Sequence, residues 1–282
     1  MKVGLVLEGG AMRGLYTAGV LDILMENQIE VDGVIGVSAG AAFGCNYKSR
    51  QIGRVLRYNT KYCNDPRYSG LRLLLTTGDL YGKDFCYKDI PERLDVFDAE
   101  TFKKTPVEFY VVCTDVHTGE PIYKQLFKGD AEDIEWMRAS ASMPLVSNVV
   151  TVGGRDMLDG AVSDSIPVEW FINQGFEKNI VVLTQQDGYR KKKLPRALKL
   201  LLHKYPAIAH GMINRYKHYN AALEKLKLLE AEGRVVILRP TAPLGVDKVE
   251  KNPDKLRHAY EIGRKDALEK LEQIKEFVDK CK

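Results

Sequence analysis

One serine of this chain stands in a pattern that could make it a nucleophile. Gly36, Ser38 and Gly40 form a G-x-S-x-G motif at the end of the apolar, β-branched run 31–37. Such a run is typical of a buried strand, and the small residues after it predict the start of a helix. A strand that enters a helix through one serine makes a sharp turn, which exposes the hydroxyl at the end of the sheet. The alternative is a small-residue turn that serves only close packing.

A second glycine-rich loop follows the first predicted strand, 3–7. Residues 8–14 read Glu-Gly-Gly-Ala-Met-Arg-Gly and precede a predicted helix at about 15–27. Backbone N–H groups in such a loop, near the positive end of a helix, form a ready anion site. They are candidate donors to the oxyanion that forms when an ester is attacked. A nucleotide loop is disfavoured, because the Walker A Gly-Lys-Ser/Thr is missing and Ala11 stands where a dinucleotide fingerprint needs glycine.

A serine hydroxyl is a weak nucleophile and needs a base. Histidine is the usual base, and the α/β-hydrolase triad is one alternative. However, Ser38 follows only the second strand, and no histidine stands in a convincing turn at a strand end. The histidines are therefore predicted to be surface residues: His117, His203, His210, His218 and His258. Asp159 is the better candidate, because it ends a predicted strand and Gly160 lets the backbone turn tightly after it.

The composition limits what the rest of the chain can do. The 282 residues are 45% hydrophobic and 28% charged, which suffices for the core of one large α/β domain. A net charge of +4 is too small to indicate nucleic acid as a partner. No apolar run reaches the length of a membrane span, and residues 1–7 are too short for a signal peptide. The five cysteines are scattered without metal-ligand spacing, which favours reduced thiols in a cytoplasmic protein and no metal.

The elements that must position the candidate residues begin with a β-loop-α-β unit. Its strands are parallel and its crossover is right-handed, so both glycine loops are expected at one edge of the sheet. A helix is expected to continue from the second loop to about residue 63, followed by short helices and loops over 64–104. Further strands are predicted at 107–114, 121–127, 149–152, 156–158, 179–184 and 235–238. Further helices are predicted at 130–141, through the basic stretch 188–223 and on to about residue 232, and at 254–280.

The stretch 188–223 carries nine lysines and arginines and no Asp or Glu. Apolar residues at helical spacing lie between them, which fits a surface that lies on an anionic membrane. The residues expected at the acyl boundary are Leu198, Leu201, Leu202, Met212 and Ile213. The alternative is a pair of ordinary amphipathic helices whose apolar residues face the core. Tyr205-Pro206 predicts a break between two helices in either case.

Three motifs in order resemble the patatin-like phospholipases, particularly the bacterial branch of that family. They are Gly9-Gly10-x-x-Arg13-Gly14, Gly36-x-Ser38-x-Gly40 and Asp159-Gly160-Ala161. The stretch Ala139-Ser140-x-Ser142-x-Pro144 is also similar to the helix-to-loop segment of that family. The resemblance covers about residues 3–185, and one departure is Ala11, where the family usually has a third glycine. It implies a three-layer α/β/α sandwich with a mostly parallel central sheet, and a Ser–Asp dyad without histidine or metal.

The resemblance also implies a function, namely a serine acyl hydrolase that cleaves carboxylic esters of lipids, as phospholipase A and lysophospholipases do. Ser38 would attack the ester carbonyl to form an acyl-enzyme, and Asp159 would accept the proton. The predicted oxyanion hole consists of backbone N–H groups of Gly9, Gly10 and Ala11. The residues expected to support the site structurally are Arg13, which braces its loop or else contacts phosphate, with Gly14, Gly36, Gly40 and Gly160.

The alternative function is a non-catalytic lipid-binding or regulatory protein on the same scaffold. Intact Ser38 and Asp159 favour the enzyme. The whole chain, 1–282, is predicted to be a single domain of this kind with a helical, basic C-terminal part at 188–282. Its expected partners are a lipid or acyl-ester substrate and an anionic membrane at the stretch 188–223, with the protein in the cytoplasm or at the inner membrane face.

Overall fold

A computed structural model describes residues 1–195 and 197–280. In these residues the protein has an eight-stranded sheet with helices on both faces. Arg196 and Cys281 lie outside the described residues, as do the side chains of Leu198 and Lys199. The strands are β1 (Val3–Leu7), β2 (Gly33–Val37), β3 (Glu108–Asp115), β4 (Pro121–Leu126), β5 (Val150–Val152), β6 (Arg155–Asp159), β7 (Lys178–Val182) and β8 (Val235–Leu238).

The helices of the described residues connect and cover these strands. The α-helices are α1 (Gly14–Glu26), α2 (Ala39–Lys48), α3 (Arg54–Tyr62), α4 (Leu71–Thr77), α5 (Ala99–Lys104), α6 (Ala131–Ser140), α7 (Val168–Asn173), α8 (Leu198–Leu201), α9 (Pro206–Ala231), α10 (Pro253–Glu269) and α11 (Leu271–Asp279). Short 3₁₀ helices lie at Ala11–Arg13 and Gly160–Val162, and a π-helix lies at Phe85–Leu94.

The expectation of one helix up to residue 63 is wrong. The helix that begins at Ala39 ends at Lys48, and α3 begins only at Arg54. Between them Arg50 and Gly53 have φ angles of +57° and +73°. A right-handed helix cannot continue through residues in the left-handed region, so the chain reverses there. The predicted C-terminal helix is likewise divided, between α10 and α11.

Five strands form a parallel core in the order β3-β2-β1-β7-β8. The strands β4 and β6 pair antiparallel with β3, and β5 pairs with β6. Leu7 of β1 is in register with Gly36 of β2, and Cys113 of β3 with Asp159 of β6. The ends of β1, β2 and β6 therefore meet at one edge of the sheet, where the loops that follow them carry the candidate site.

Alternate side chains of the central strands serve two different cores, as the period of a strand requires. In β1, Leu5 and Leu7 pack in the core that contains α1, α2 and α10. Val6, between them, packs in the core that contains α7 and α9. Parallel strands with both faces covered are apolar throughout, as all five residues of β1 are. The predicted three-layer α/β/α class with a mostly parallel sheet is confirmed.

The helix α1 is buried along almost its whole length, from Gly14 to Met25. A helix that is apolar all round needs cover on every side. The sheet covers one side of α1, and α10 covers another. Two polar contacts join α10 to α1: the hydroxyl of Tyr260 donates to Asp22 at 2.7 Å, and Arg264 pairs with Glu26 at 2.8 Å. The C-terminal part of the chain thus completes the layer that begins directly after the first glycine loop.

Candidate active site

Ser38 stands between β2 and α2 with a φ of +57° and a ψ of −122°. A positive φ at a residue other than glycine is strained, and neighbouring contacts must hold it. The backbone N–H of Ser38 donates to Ser140 Oγ at 3.0 Å, and the hydroxyl of Ser140 donates to the carbonyl oxygen of Val112 at 2.6 Å. A Cβ on Gly40 would lie 2.3 Å from the carbonyl oxygen of Leu7. The sharp turn at Ser38 therefore depends on glycine after it and on the serine at position 140.

Asp159 ends β6 and is fully buried. Its backbone N–H donates to the carbonyl oxygen of Ser142 at 2.8 Å, and its Oδ1 accepts the N–H of Ala161 at 2.8 Å. Its Oδ2 is buried and has no hydrogen-bond partner among the described residues. The Ser38 hydroxyl is nevertheless close enough to influence the carboxyl group. One oxygen of Asp159 thus holds the carboxyl group in place, and the other has no hydrogen-bond partner among the described residues.

The environment of Asp159 makes it a better base than an aspartate in water. Burial, the largest influence, raises the pKa of Asp159, while the Ser38 hydroxyl and the Arg215 guanidinium oppose that rise. A carboxylate whose pKa is closer to the working pH takes a proton from a hydroxyl more readily. The structure therefore places Ser38 close to an aspartate whose pKa is raised by burial.

The loop after β1 lies directly against Ser38. A Cβ on Gly9 would lie 2.6 Å from the Cβ of Ser38, so only glycine fits there. Ala11 has a φ of +50°, so the residue that replaces the family's third glycine adopts the left-handed conformation at some cost. Among the described residues, no acceptor is bonded to the backbone N–H of Gly10 or Ala11. These N–H groups remain available to an oxyanion.

The other residues predicted to support the site lie around these loops. The backbone N–H of Arg13 donates to the carbonyl oxygen of Gly10 at 3.1 Å, which closes the turn. The Nε of Arg13 is buried without a partner among the described residues. Gly14, Gly36 and Gly160 each lie against a neighbouring segment: their closest neighbours are the Phe43 ring, the Gly40 backbone and the Val112 carbonyl, respectively.

Glu8, at the start of the same loop, is a buried carboxylate that sequence reasoning did not identify as important. Its Oε2 accepts the backbone N–H of Thr184 at 2.7 Å, and its Oε1 accepts the hydroxyl of Tyr219 at 2.7 Å. The hydroxyl of Thr184 lies 2.9 Å from the carbonyl oxygen of Gly9. These bonds tie the loop to the segment that follows β7 and to α9. No local pattern could have shown this, because Tyr219 is 211 residues from Glu8.

Ser38 and Asp159 both line a cavity of about 810 Å³. Its wall has two chemically different parts. The apolar part includes Phe43, Tyr58, Ile90, Phe97, Ile134 and Met137. The cationic part includes Arg13, Arg190, Lys191, Lys192, Arg215 and Lys248. An apolar wall beside a few polar groups is typical of sites for small amphipathic molecules.

All five histidines lie among the described residues, and the prediction that they are surface residues is confirmed. Each is exposed, and none lines the cavity that contains Ser38. His117 contacts Asp156, with 3.2 Å between Nε2 and Oδ2, at an exposed hairpin. No histidine can therefore act as the base for Ser38 in this arrangement. In the described ranges no three residues of the types His, Cys, Asp and Glu lie close enough together to hold a metal ion.

The basic stretch 188–223 forms α8 and most of α9, with the predicted break at Tyr205-Pro206. Leu202, Met212 and Ile213 are buried, so the expectation that these three meet a membrane is wrong. Leu202 and Met212 instead pack against Leu158 and Val162 beside the site. Leu201 is exposed, and the side chain of Leu198 is not among those that the structure describes. None of the described helices combines the length and the hydropathy needed to cross a membrane.

Comparison with known proteins shows what the chain resembles. Among curated proteins, the uncharacterized protein YjjU of Escherichia coli is 27% identical, over 93% of this chain and 75% of YjjU. The uncharacterized NTE family protein Mb1092c of Mycobacterium bovis is 26% identical over 59% of this chain, which spans only 44% of that protein. The probable lipid hydrolase 463L of Invertebrate iridescent virus 6 is 26% identical, over 62% of this chain and 65% of that protein.

Among solved structures, VipD from Legionella pneumophila aligns over 99% of this chain and 67% of VipD, with a TM-score of 0.47 and 12% identity. Two family models match the sequence. A domain of unknown function, DUF6363, matches residues 205–279, which contain α9 to α11. The patatin-like phospholipase model matches residues 5–172, which contain both glycine loops, Ser38 and Asp159. Since that match covers well over half of the 282 residues, the chain belongs to the patatin-like phospholipase family, and this membership supports a lipid hydrolase.

Proposed function

We propose that the protein is a serine acyl hydrolase that cleaves carboxylic esters of lipids, in the manner of a phospholipase A or a lysophospholipase. The observation that carries this proposal is the buried, unpaired Oδ2 of Asp159 beside Ser38. A buried acceptor without a partner costs free energy, and a proton from the serine hydroxyl would satisfy it during the reaction. The apolar part of the cavity would accept the acyl chain.

In the proposed mechanism Ser38 Oγ attacks the ester carbonyl while Asp159 Oδ2 takes the hydroxyl proton. The negative charge that develops on the carbonyl oxygen is held by backbone N–H groups of Gly9, Gly10 and Ala11. Asp159 then gives its proton to the leaving alcohol, which leaves an acyl-enzyme on Ser38. Water, deprotonated by the same carboxylate, attacks the acyl-enzyme and releases the fatty acid. Arg13 braces the loop that carries the oxyanion donors.

The test is labelling with a fluorophosphonate probe, beside hydrolysis of p-nitrophenyl esters of increasing chain length. We expect labelling and hydrolysis in the native protein and neither in Ser38→Ala. A matched control is Ser147→Ala, because Ser147 also lines the cavity but lies outside the sharp turn; this variant should be labelled as the native protein is. Equal labelling of Ser38→Ala would remove Ser38 as the nucleophile. Lipid binding without hydrolysis or labelling would instead favour the non-catalytic alternative.

We also propose that the region around α8 contacts an anionic membrane from the cytoplasmic side. Lys192 and Lys193 are exposed beside Leu194, and Leu200 and Leu201 are exposed on α8. Exposed leucines next to lysines suit the interface of an anionic bilayer. Binding to vesicles that contain anionic lipid should be measured by co-sedimentation at low and high salt. The double variant Lys192→Glu/Lys193→Glu should lose binding, and Lys103→Glu/Lys104→Glu, an exposed pair on α5, should keep it. Equal binding of both variants would contradict this contact.

A further inference from the structure

Two cations from the C-terminal part of the chain reach the candidate active site. Lys191 lies before α8, and Arg215 lies on α9 within the segment that matches DUF6363. Both line the cavity that contains Ser38 and Asp159. Both also lower the pKa of Asp159 through their charge. Their charged groups therefore lie within electrostatic range of the reacting atoms, although neither residue belongs to the patatin-like part of the sequence.

Neither of these cations has a counter-ion within ion-pair distance in the described part of the chain. Three other cations of the same cavity wall are paired: Arg54 with Asp95, Arg138 with Glu135, and Arg190 with Glu224. Arg13, Lys192 and Lys248 of this wall also have no ion pair in the described ranges, but Lys191 and Arg215 are the two whose charges act on Asp159. Glu8 attracts Lys191 through its charge. However, both carboxylate oxygens of Glu8 are already bonded to Thr184 and Tyr219.

Both side chains are nevertheless held in place. The backbone N–H of Lys191 donates to Asn220 Oδ1 at 2.9 Å, and Asn220 Nδ2 donates to the Lys191 carbonyl at 3.1 Å. The Nζ of Lys191 lies 4.3 Å from the centre of the Tyr219 ring. The Nε of Arg215 donates to Ser165 Oγ at 3.2 Å, which leaves both of its Nη groups for another partner. Groups fixed before binding lose little entropy when a ligand arrives.

The two cations repel each other. Burial, and after it the charge of Arg215, lower the pKa of Lys191 to about 8. Holding two partly desolvated like charges together is unfavourable, and the nearby carboxylates of Glu8 and Asp159 lie outside ion-pair distance and offset only part of this cost. An anion bound directly between the two cations would offset more of it. A guanidinium fork beside an ammonium point charge matches the several oxygens of a phosphate better than it matches a neutral group.

We propose that Lys191 and Arg215 form an anion subsite that binds the phosphate of a phosphorylated lipid ester while its acyl ester reaches Ser38. The ester part of this inference rests on the proposed function, and the subsite narrows the substrate class from lipid esters in general to those with a phosphate in the alcohol part. The apolar wall of the cavity takes the acyl chain of the same molecule.

The kinetic test compares two esters with the same acyl chain, 1-lauroyl-glycerol 3-phosphate and neutral 1-lauroyl-glycerol. We expect Lys191→Met and Arg215→Gln each to raise KM for the phosphorylated ester about tenfold or more, as the loss of a charge-assisted hydrogen bond does. Removing either charge also lets the pKa of Asp159 rise, so each variant is compared at the optimum of its own pH profile. There the neutral ester should be affected much less than the phosphorylated ester. The conservative replacements Lys191→Arg and Arg215→Lys should keep most of the preference for the phosphorylated ester over the neutral one. Lys227→Met, an exposed lysine on α9, should leave both esters unaffected.

A binding test separates the subsite from catalysis. In the Ser38→Ala protein, calorimetry should show binding of dodecyl phosphate, weaker binding of inorganic phosphate, and no comparable binding of dodecyl maltoside. When Lys191→Met is added to the Ser38→Ala protein, dodecyl phosphate should no longer bind more tightly than dodecyl maltoside. If inorganic phosphate binds as tightly as dodecyl phosphate, the site holds a free anion and the lipid assignment is overturned.

The remaining outcomes are also decisive. Lys191→Met and Arg215→Gln could instead lower the hydrolysis rates of both esters by the same factor and shift the pH profile. In that case the cations act on Asp159 and not on the substrate, and the subsite is overturned. If the native protein hydrolyses neither ester, the proposed function fails, while the binding of dodecyl phosphate still decides the subsite. If one variant does not fold, the other variant and the two conservative replacements decide the outcome.

Discussion

The hydroxyl of Tyr219, on α9, donates a 2.7 Å hydrogen bond to the buried carboxylate of Glu8, which directly follows β1. Glu8 starts the loop whose N–H groups are proposed to hold the oxyanion. Tyr219 lies in the segment that matches DUF6363, whereas Glu8 lies in the patatin-like segment. The C-terminal helices are therefore attached to the candidate site itself and not only to the outside of the sheet.

Removing this hydroxyl tests the attachment. Tyr219→Phe leaves a buried carboxylate oxygen without its donor, and a hydrogen bond to a charged group contributes about 1.5–3 kcal/mol. We expect the free energy of unfolding in urea to fall by about that amount, and kcat to fall because the loop 9–11 is less well fixed. Tyr205→Phe is the control, since no described residue bonds to the Tyr205 hydroxyl. An unchanged kcat in Tyr219→Phe would mean that the bond serves stability alone.

Asp159→Asn separates the chemistry from the fold. The amide oxygen can still accept the N–H of Ala161, but the group can no longer take a proton. We expect turnover to fall roughly 10²- to 10⁴-fold, as for a lost general base. The free energy of unfolding at pH 7 should not fall, because a neutral amide is easier to bury than a carboxylate. Asp164→Asn, a change at a carboxyl outside the cavity, should keep the activity. Activity close to native in Asp159→Asn would rule out the dyad.

The pH dependence of stability and activity should run in opposite directions. Burial raises the pKa of Asp159, so the folded protein binds this proton more tightly than the unfolded chain, whose aspartate pKa is about 3.9. The contribution of Asp159 to stability is therefore greatest below that value and is lost as the pH rises through the folded-state pKa. Activity needs the ionised form and should rise over the same interval. Titration of kcat/KM in the native protein, and urea unfolding of native and Asp159→Asn protein over pH 4 to 8, measure the two effects.

Ala11→Gly should make the protein slightly more stable. Ala11 has a φ of +50°, which costs a residue with a Cβ about 1–2 kcal/mol. Glycine removes that cost but adds about 0.4–1 kcal/mol of chain entropy to the unfolded state, so a net gain of about 0.5 kcal/mol is expected. The control is Ala18→Gly within α1, where the same replacement should cost about 1 kcal/mol. Chemical unfolding should show a higher free energy of unfolding for Ala11→Gly and a lower one for Ala18→Gly. A lower value for both variants would contradict the strain at Ala11.

Ser140→Ala tests how the sharp turn at Ser38 is held. The backbone N–H of Ser38 would lose its acceptor, and an unsatisfied buried donor costs about 1–3 kcal/mol. We expect a matching loss of stability and slower labelling by a fluorophosphonate. Ser142→Ala should do less, because the hydroxyl of Ser142 only donates back to the carbonyl oxygen of Arg138 at the end of α6. The backbone carbonyl of Ser142 still holds Asp159 in this variant. Equal effects of both variants would mean that the segment 139–144 matters only for packing.

The sequence predicts those parts of the molecule that local patterns encode. The strands β1 and β2, the helix α1, and the hairpin of β5 and β6 are where periodicity and glycines indicate them. The exposure of the histidines also follows from their positions outside strand ends. Ser38 and Asp159 are found as candidates because each stands at the end of a strand and is followed by small residues. Their roles, and the treatment of the whole chain as one domain, stay predictions.

The parts that the sequence does not predict depend on contacts between distant residues. The burial of Leu202 and Met212 is decided by Leu158 and Val162, which helical spacing cannot identify, since an amphipathic helix can face a membrane or a protein core. The end of α2 depends on the conformation of Arg50 and Gly53. Lys191 is an extreme case: one of three adjacent lysines, it alone is partly buried, because α9 and Tyr219 lie over it.

Because α10 covers α1, the burial of α1 during synthesis has to wait until α10 has been made. The segment 14–25 leaves the ribosome long before its cover, α10, which begins only at Pro253. During synthesis this apolar helix, next to the first glycine loop, stays exposed until α10 has emerged, and such surface attracts chaperones and promotes aggregation. Nascent chains arrested before residue 253 should therefore be cleaved by protease at residues 14–25, whereas released chains that contain α10 should resist.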